Sequence, residues 1–295
     1  MDTLAKALIS RASGQSKLRV DDVVICEVDL AMIHDSGGPR RVKPILDRLQ
    51  RQVWDKEKIV VVTDHYVPAD NAETQAIQAL TKQWVQDQSI DKFYDEQGIC
   101  HVVLPERGHL APGLFCVGGD SHSPTGGAFG AYMFGIGATE MAGVLATGEI
   151  WIKVPETILM SWRNQLSAYV TAKDMMLAMC RKIGMGGGRY QAIQYAGQTI
   201  QALSMQERMT LSNMAAELGA QAGLIAPDEA TVAFVQAAGG TVPANWRDFQ
   251  IEAAESAENV MQFDAASLEP QIAAPHSPEN ADAADAFRNI SFDVA

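Results

Sequence analysis

The segment "KIVVVTDH", residues 58–65, decides how the rest of the chain is read. Ile59 to Val62 run without a polar break, the pattern of a strand buried on both faces of a parallel sheet. The run then ends in Asp64 and His65, as expected where a buried strand meets a functional edge. "GLFCVGGD", residues 113–120, repeats the pattern and ends in Asp120. Between them Ile77, Leu80, Trp84 and Val85 fall on one helical face. "VVICEVDLAMI" (23–33) reads as a strand before the turn residues "DSGGPR", and "ICHVVLP" (99–105) as another buried strand. This alternation predicts an α/β protein of three-layer α/β/α domains with largely parallel sheets. Ligands in such folds bind beyond the carboxyl ends of the strands.

A seam falls near "EIWIKVPETILMSW", where residues 154–162 read as the start of a new sheet. A first domain is therefore expected over 1–154 and a second over 155–272, with 273–295 a linker or the start of a further domain. In the second domain Thr171 and Asp174 have capping-box spacing, and their helix stops at Gly184. Ser204 and Glu207 open another helix of the same kind, with Gly219 near its end. The stretch 248–295, acidic and Ala-rich, reads as a connector; after Arg247 its only Lys or Arg is Arg288, against ten Asp and Glu.

Composition narrows the function classes. A net charge of −13 repels phosphate backbones and argues against nucleic acid. No window approaches eighteen apolar residues, and the first residues lack a signal-peptide core, so a cytoplasmic protein without membrane attachment is expected. The four cysteines, Cys26, Cys100, Cys116 and Cys180, form no C-x-x-C pair. Three lie in apolar surroundings that suit small buried hydrophobes.

Four of the six histidines stand beside polar chemistry. His34 precedes Asp35, His65 follows Asp64, His101 opens "HVVLP", and His122 closes the trio Asp120-Ser121-His122. A carboxylate beside an imidazole fixes its tautomer and raises its pKa, which suits a general acid or a cation that binds a carboxylate. The following "SPTGGAFGAYMFGIG" (123–137) has two readings. With Ser121, Ser123 and Thr125 it forms an anion cradle at a helix start, or its glycines only let loop pack on sheet. Asn213 and Glu217, four apart, share a helical face.

These residues carry a resemblance. "GDSHSPTGGAFGAYMFGIGATEMAGVLATGEIWIKVPETI" (119–158) closely resembles the signature of the aconitase superfamily, especially the large subunit of 3-isopropylmalate dehydratase. So do "VVVTDH", "QGICHVVLPERGHLAPG", "LSNMAAELGAQAGLIAPDEAT" and "LEPQIAAPHSPEN", in order along the chain. The resemblance implies a hydro-lyase that moves water on and off a hydroxy di- or tricarboxylic acid such as 3-isopropylmalate. "MIHDSGGPRRV" (32–42) departs from the usual segment, which leaves another malate-type acid open as substrate. By resemblance Asp64 and His65 help protonate the departing hydroxyl, and His101, Asp120, Ser121 and His122 are active-site residues. Asn213 contacts the water on the cluster, Glu217 pairs with a histidine, and His34 contacts substrate.

The family's Lewis acid is a 4Fe-4S cluster held by cysteines in motifs of the type G-S-C-T-N and C-G-P-C, and neither motif occurs here. The expectation is a chain carrying the imidazole–carboxylate half of the site and no cluster ligand. The ligands would then lie on a missing C-terminal domain, with a base serine on a separate small subunit, leaving this chain inactive alone. Two other readings stand beside this one. The chain is a non-catalytic dicarboxylate-binding or subunit-pairing module, or a hydrolase with one divalent metal at His65, His101, Asp120 and His122.

Overall fold

The computed structural model describes residues 3–251 and 259–290. Helix α1 (Leu4–Ser13), capped by Thr3, precedes strands β1 (Val23–Glu27) and β2 (Leu30–His34). Helix α2 (Pro39–Leu49), strand β3 (Ile59–Thr63), helix α3 (Ala72–Asp87), strand β4 (Phe93–Asp95) and helix α4 (Cys100–Glu106) follow. Strands β5 (Phe115–Gly118) and β6 (Tyr132–Gly135) flank a 3₁₀ turn over Ser123–Phe129. Helix α5 (Ala138–Thr147) and strand β7 (Glu149–Lys153) end this part of the chain.

Strands β2 to β6 form one parallel sheet in the order β4-β3-β2-β5-β6. Every residue of β2, β3 and β5 is buried, which accounts for their unbroken apolar runs. The chain steps from β2 outward to β4, then returns to place β5 on the other side of β2. That reversal makes the carboxyl ends of β2 and β5 the topological switch point, the place where such sheets bind ligands.

A second parallel sheet, β10-β9-β8-β11, is built from β8 (Thr157–Arg163), β9 (Ala192–Ala196), β10 (Ala222–Ile225) and β11 (Asn259–Asp264). Its helices are α6 (Ala172–Ile183), α7 (Gln198–Ala202), α8 (Met205–Asn213) and α9 (Glu229–Ala237). The expected capping boxes at Thr171–Asp174 and Ser204–Glu207 are present. A hairpin of β12 (Gln271–Ala273) and β13 (Ala281–Ala283) lies beyond. The mixed α/β class with parallel sheets is thus the one expected.

Four local expectations are corrected. "VVICEVDLAMI" is two strands: β1 leaves the main sheet to pair antiparallel with β7, because only alternate β1 residues are buried. "ICHVVLP" is helix α4, not a strand. The Asp64 carboxylate accepts from the Cys100 N–H at 2.7 Å, and this cap from a distant strand overrides the β-branched pair Val102-Val103. Helix α8 stops at Asn213, and residues 214–219 continue as i→i+3 turns. Residues 259–290 are no bare connector, and the expected linker over 273–295 folds back as far as it is described. Strand β11 pairs with β8, Gln271 N–H donates to Asp174 at 2.7 Å, and Arg181 pairs with Asp282. Residues 252–258 and 291–295 of these expectations lie outside the described residues.

Candidate active site

Three neighbouring strands, β3, β2 and β5, each end in an acid beside a histidine or within two residues of one. Asp35, after β2, is fully buried and organises the others. Its carboxylate accepts the backbone N–H groups of Ser36 (3.1 Å), Asp64 (3.4 Å), His65 (3.1 Å) and Tyr66 (2.9 Å). A buried carboxylate so collared by amides fixes the turn that carries Asp64 and His65. Sequence reasoning took Asp35 for a turn residue; the signal was its place next to His34 at a strand end, the same pairing seen at Asp64-His65.

Asp64 bonds Nδ1 of His65 at 2.6 Å, while its other oxygen caps α4. The same cap aims His101, on the first turn of α4, at Asp120, where its Nε2 lies 2.7 Å from Oδ1. Asp120 also accepts the His122 N–H at 2.8 Å and faces Nε2 of His65 at 3.5 Å. His122 in turn reaches Glu217 through Nε2 at 3.1 Å and Ser121 Oγ at 3.2 Å. Asp120 is thus a carboxylate shared by three imidazoles, and the second sheet contributes Glu217.

The electrostatics follow from this sharing. Burial alone would raise the Asp120 carboxyl, but hydrogen bonds from His101, His122 and His65 hold it far below the usual carboxylate range. Hydrogen bonds to Asp120 and then Asp64 raise His65 from 6.5 to about 10. His122 rises to about 10 through Asp120 and then Glu217. Glu217, despite burial that pushes it up, is lowered by its bond from His122. Both rings are cationic at neutral pH, each a little over a third exposed. Such perturbed groups brought together at one sheet edge make it the candidate functional site.

His34 is placed differently from the expected substrate contact. It is 3% exposed, its Nε2–H donates to the Gly119 carbonyl at 2.9 Å, and its Nδ1 accepts from Gly37 N–H at 3.4 Å. Burial, then the charge on His65, lowers its pKa and keeps it neutral. It stacks flat on His65, centroids 3.8 Å apart, as an uncharged platform beneath a cation. Ser123, expected at the substrate, is fully buried and donates to the Asp120 carbonyl at 2.7 Å. Thr125 donates to the His122 carbonyl, and Asn213 Nδ2 donates to Thr125 at 2.9 Å, so these residues brace the trio from behind.

The glycines settle the two readings of the loop in favour of packing. A Cβ on Gly127 would lie 1.9 Å from the Gly223 carbonyl of β10, and one on Gly118 2.0 Å from Ser123 Oγ. The hydroxyls of Ser123 and Thr125 are already spent on carbonyls. Ser121, His65, His101 and His122 instead keep their polar side chains at least partly exposed.

Fold and site together define an α/β protein that holds two imidazolium groups on a shared aspartate at a topological switch point. Residues 6–293 match the profile of the aconitase family (aconitate hydratase), and the chain belongs to that family. A probable 3-isopropylmalate dehydratase large subunit from Methanothermobacter thermautotrophicus is 42% identical over 94% of this chain and 66% of its own length. A probable methanogen homoaconitase large subunit from Methanosarcina mazei is 41% identical over 87% of this chain and 65% of its own. Among solved structures, holo aconitase X of Thermococcus kodakaraensis gives a TM-score of 0.46 at 9% identity, covering 82% of this chain and 57% of that one. The chain spans about two thirds of the length of the curated relatives it matches.

The 4Fe-4S cluster implied by the family does not fit the cysteines of this chain. Cys26, Cys180 and the pair Cys100 and Cys116 lie in three separate buried cores. Burial pushes the thiols of Cys26 and Cys180 up to about 12 and about 11, and those of Cys100 and Cys116 higher still. A cluster ligand is a thiolate, so these four thiols are the wrong species in the wrong places.

Proposed function

We propose that this chain is the proton-handling, substrate-binding part of a hydro-lyase large subunit acting on a hydroxy di- or tricarboxylic acid such as 3-isopropylmalate. The observation that supports it is Asp120 shared by His65, His101 and His122, with two rings held as cations. At 3.5 Å the bond from His65 Nε2–H to Asp120 is long, and a substrate oxygen can take its place as acceptor. His65 donates it to the departing hydroxyl as the carbon–oxygen bond breaks, releasing water, and Asp64 and Asp35 keep the ring aimed. His122 and His101 offer N–H groups to a substrate carboxylate. The carbon-bound proton leaves to a base on another polypeptide segment, in this reading the small subunit's serine. The names of two relatives, a probable 3-isopropylmalate dehydratase and a probable methanogen homoaconitase large subunit, supply the candidate acids for this reading.

The chain is inactive alone in this reading and works with a further C-terminal region and a small subunit. The test is anaerobic incubation with iron and sulfide, followed by assay of hydroxy-acid dehydration. No stable visible absorption band and no turnover are expected; a band with turnover overturns the proposal. Calorimetry with malate-type acids in the absence of iron separates a bare binding module from this reading. A module binds them tightly without iron, whereas half a site binds them weakly.

A mononuclear metal at His101, Asp120 and His122 has less support. Their ligand atoms lie within 4.8 Å of one another, but His65, the fourth ligand of that reading, falls in a separate group with His34, Asp35 and Asp64.

A further inference from the structure

We propose that the outer face of the β1–β7 ribbon is the surface through which two copies of this chain associate about a two-fold axis. The register is Val23 opposite Lys153, Ile25 opposite Trp151 and Glu27 opposite Glu149. The inner face of the ribbon, Val24, Cys26 and Ile152, is buried in the core of the first sheet. The outer positions of a half-buried ribbon are normally polar. Here Val23, Ile25 and Trp151 occupy them at 64%, 60% and 66% exposure. Three large apolar side chains in one contiguous exposed grid mark a contact surface.

The chemistry of the grid selects a second copy as the occupant. Its centre is apolar, one end carries Lys153, and the other carries Glu27 and Glu149. A two-fold axis along the Ile25–Trp151 row sets that row against its own copy and each Lys153 against the copy's Glu149, with Val23 lying on the methylenes of Glu27. Lys153 also bridges Asp21 at 2.7 Å, with both side chains more than 60% exposed, so its ammonium keeps donors for a second carboxylate.

Shape is self-complementary as well. Trp151 stands between two hollows, of about 410 Å³ and about 300 Å³. Ile25, Val144 and Ile150 line the smaller, and Tyr190 and Arg189 rim the larger. The exposed Trp151 lines both hollows, so two copies can exchange the ring reciprocally, which is the geometry of an isologous interface. Trp, Tyr and Arg are also the residue types that dominate interface energetics.

The test is light scattering on this chain over about a hundredfold range of concentration, since association follows mass action. The mass should climb to twice that of one chain. Trp151→Asp and, separately, Ile25→Lys should hold it at one chain with unchanged circular dichroism, because both side chains lie on the surface. Lys153→Glu should weaken association at least about tenfold, and Lys153→Glu with Glu149→Lys should recover most of it. A single-chain mass at every concentration overturns the proposal, whether the face is idle or reserved for a different partner. A dimer that neither Trp151→Asp nor Ile25→Lys weakens also overturns it.

Discussion

The two parallel sheets present the same kind of edge and use it in opposite ways. At the carboxyl ends of β2, β3 and β5, Asp64, Asp120 and Glu217 hold the imidazoles of His65 and His122 charged. At the corresponding ends of β8, β9, β10 and β11, Arg208, Asp228, Asn164 and Asp264 pair with one another or with backbone. Arg208, 1% exposed, donates to the Gln201 and Leu203 carbonyls and pairs with Asp228 at 2.6 Å. Asn164 donates to Asp264 at 2.7 Å and its carbonyl accepts from Thr199. Position at strand ends therefore does not make a site. What distinguishes the first edge is one acid shared among several imidazoles, so that no partner is fully used.

Substitutions at the two edges should separate catalysis from stability. Asp120→Asn should cost the assembled enzyme about 10²–10⁴ in turnover, read as kcat/KM, because it removes the group that keeps His65 and His122 charged. Arg208→Met should leave the imidazole network intact but destabilise the chain by about 3 kcal/mol in urea unfolding, since Asp228 loses its partner. Pairing it with Asp228→Asn should recover part of that loss, because Asn removes the unpaired charge while still capping α9. Equal effects of Asp120→Asn and Arg208→Met on turnover would break the contrast.

Smaller effects sharpen it. Gly127→Ala drives a methyl into the Gly223 carbonyl, where the loop of the first edge meets the second sheet, and should cost about 2 kcal/mol. The pH dependence of stability should differ as well. His65 and His122 have folded pKa values raised from 6.5 to about 10. Their stabilisation is complete below 6.5 and is lost as pH rises through about 10. Asp120 and Glu217 are depressed below 3.8 and 4.5, so their contribution is present above those values and is lost in acid. The first edge thus stabilises most between pH about 4.5 and 6.5. Asp228, also depressed, gives the second edge only the acid limb. Urea midpoints across pH should show the alkaline decline flattened in Asp120→Asn and retained in Arg208→Met.

Much of the first edge was legible in sequence because its strands are buried on both faces. "KIVVVTDH" and "GLFCVGGD" display both the strand and the acid that ends it. Helix α4 was not legible, because its cap comes from Asp64, thirty-six residues earlier in the chain. Asp35 was missed because its four amide partners come mostly from the next strand's turn. The glycine loop was half-read: its spacing suggested a cradle, while the packing of Gly127 on β10 is a contact that only tertiary structure reveals. The resemblance carried Glu217 to its histidine, although the turns that bring it there interrupt the helix expected from spacing.

The central claim is that this chain holds a prearranged pair of imidazolium groups, one of them, His65, stacked on the neutral ring of His34. Nitrogen-15 NMR titration of the histidine side chains tests it most directly. The account predicts that at pH 8, well above 6.5, His65 and His122 remain doubly protonated while His34 is a neutral Nε2–H tautomer. Titration of His65 and His122 near 6.5 would contradict it.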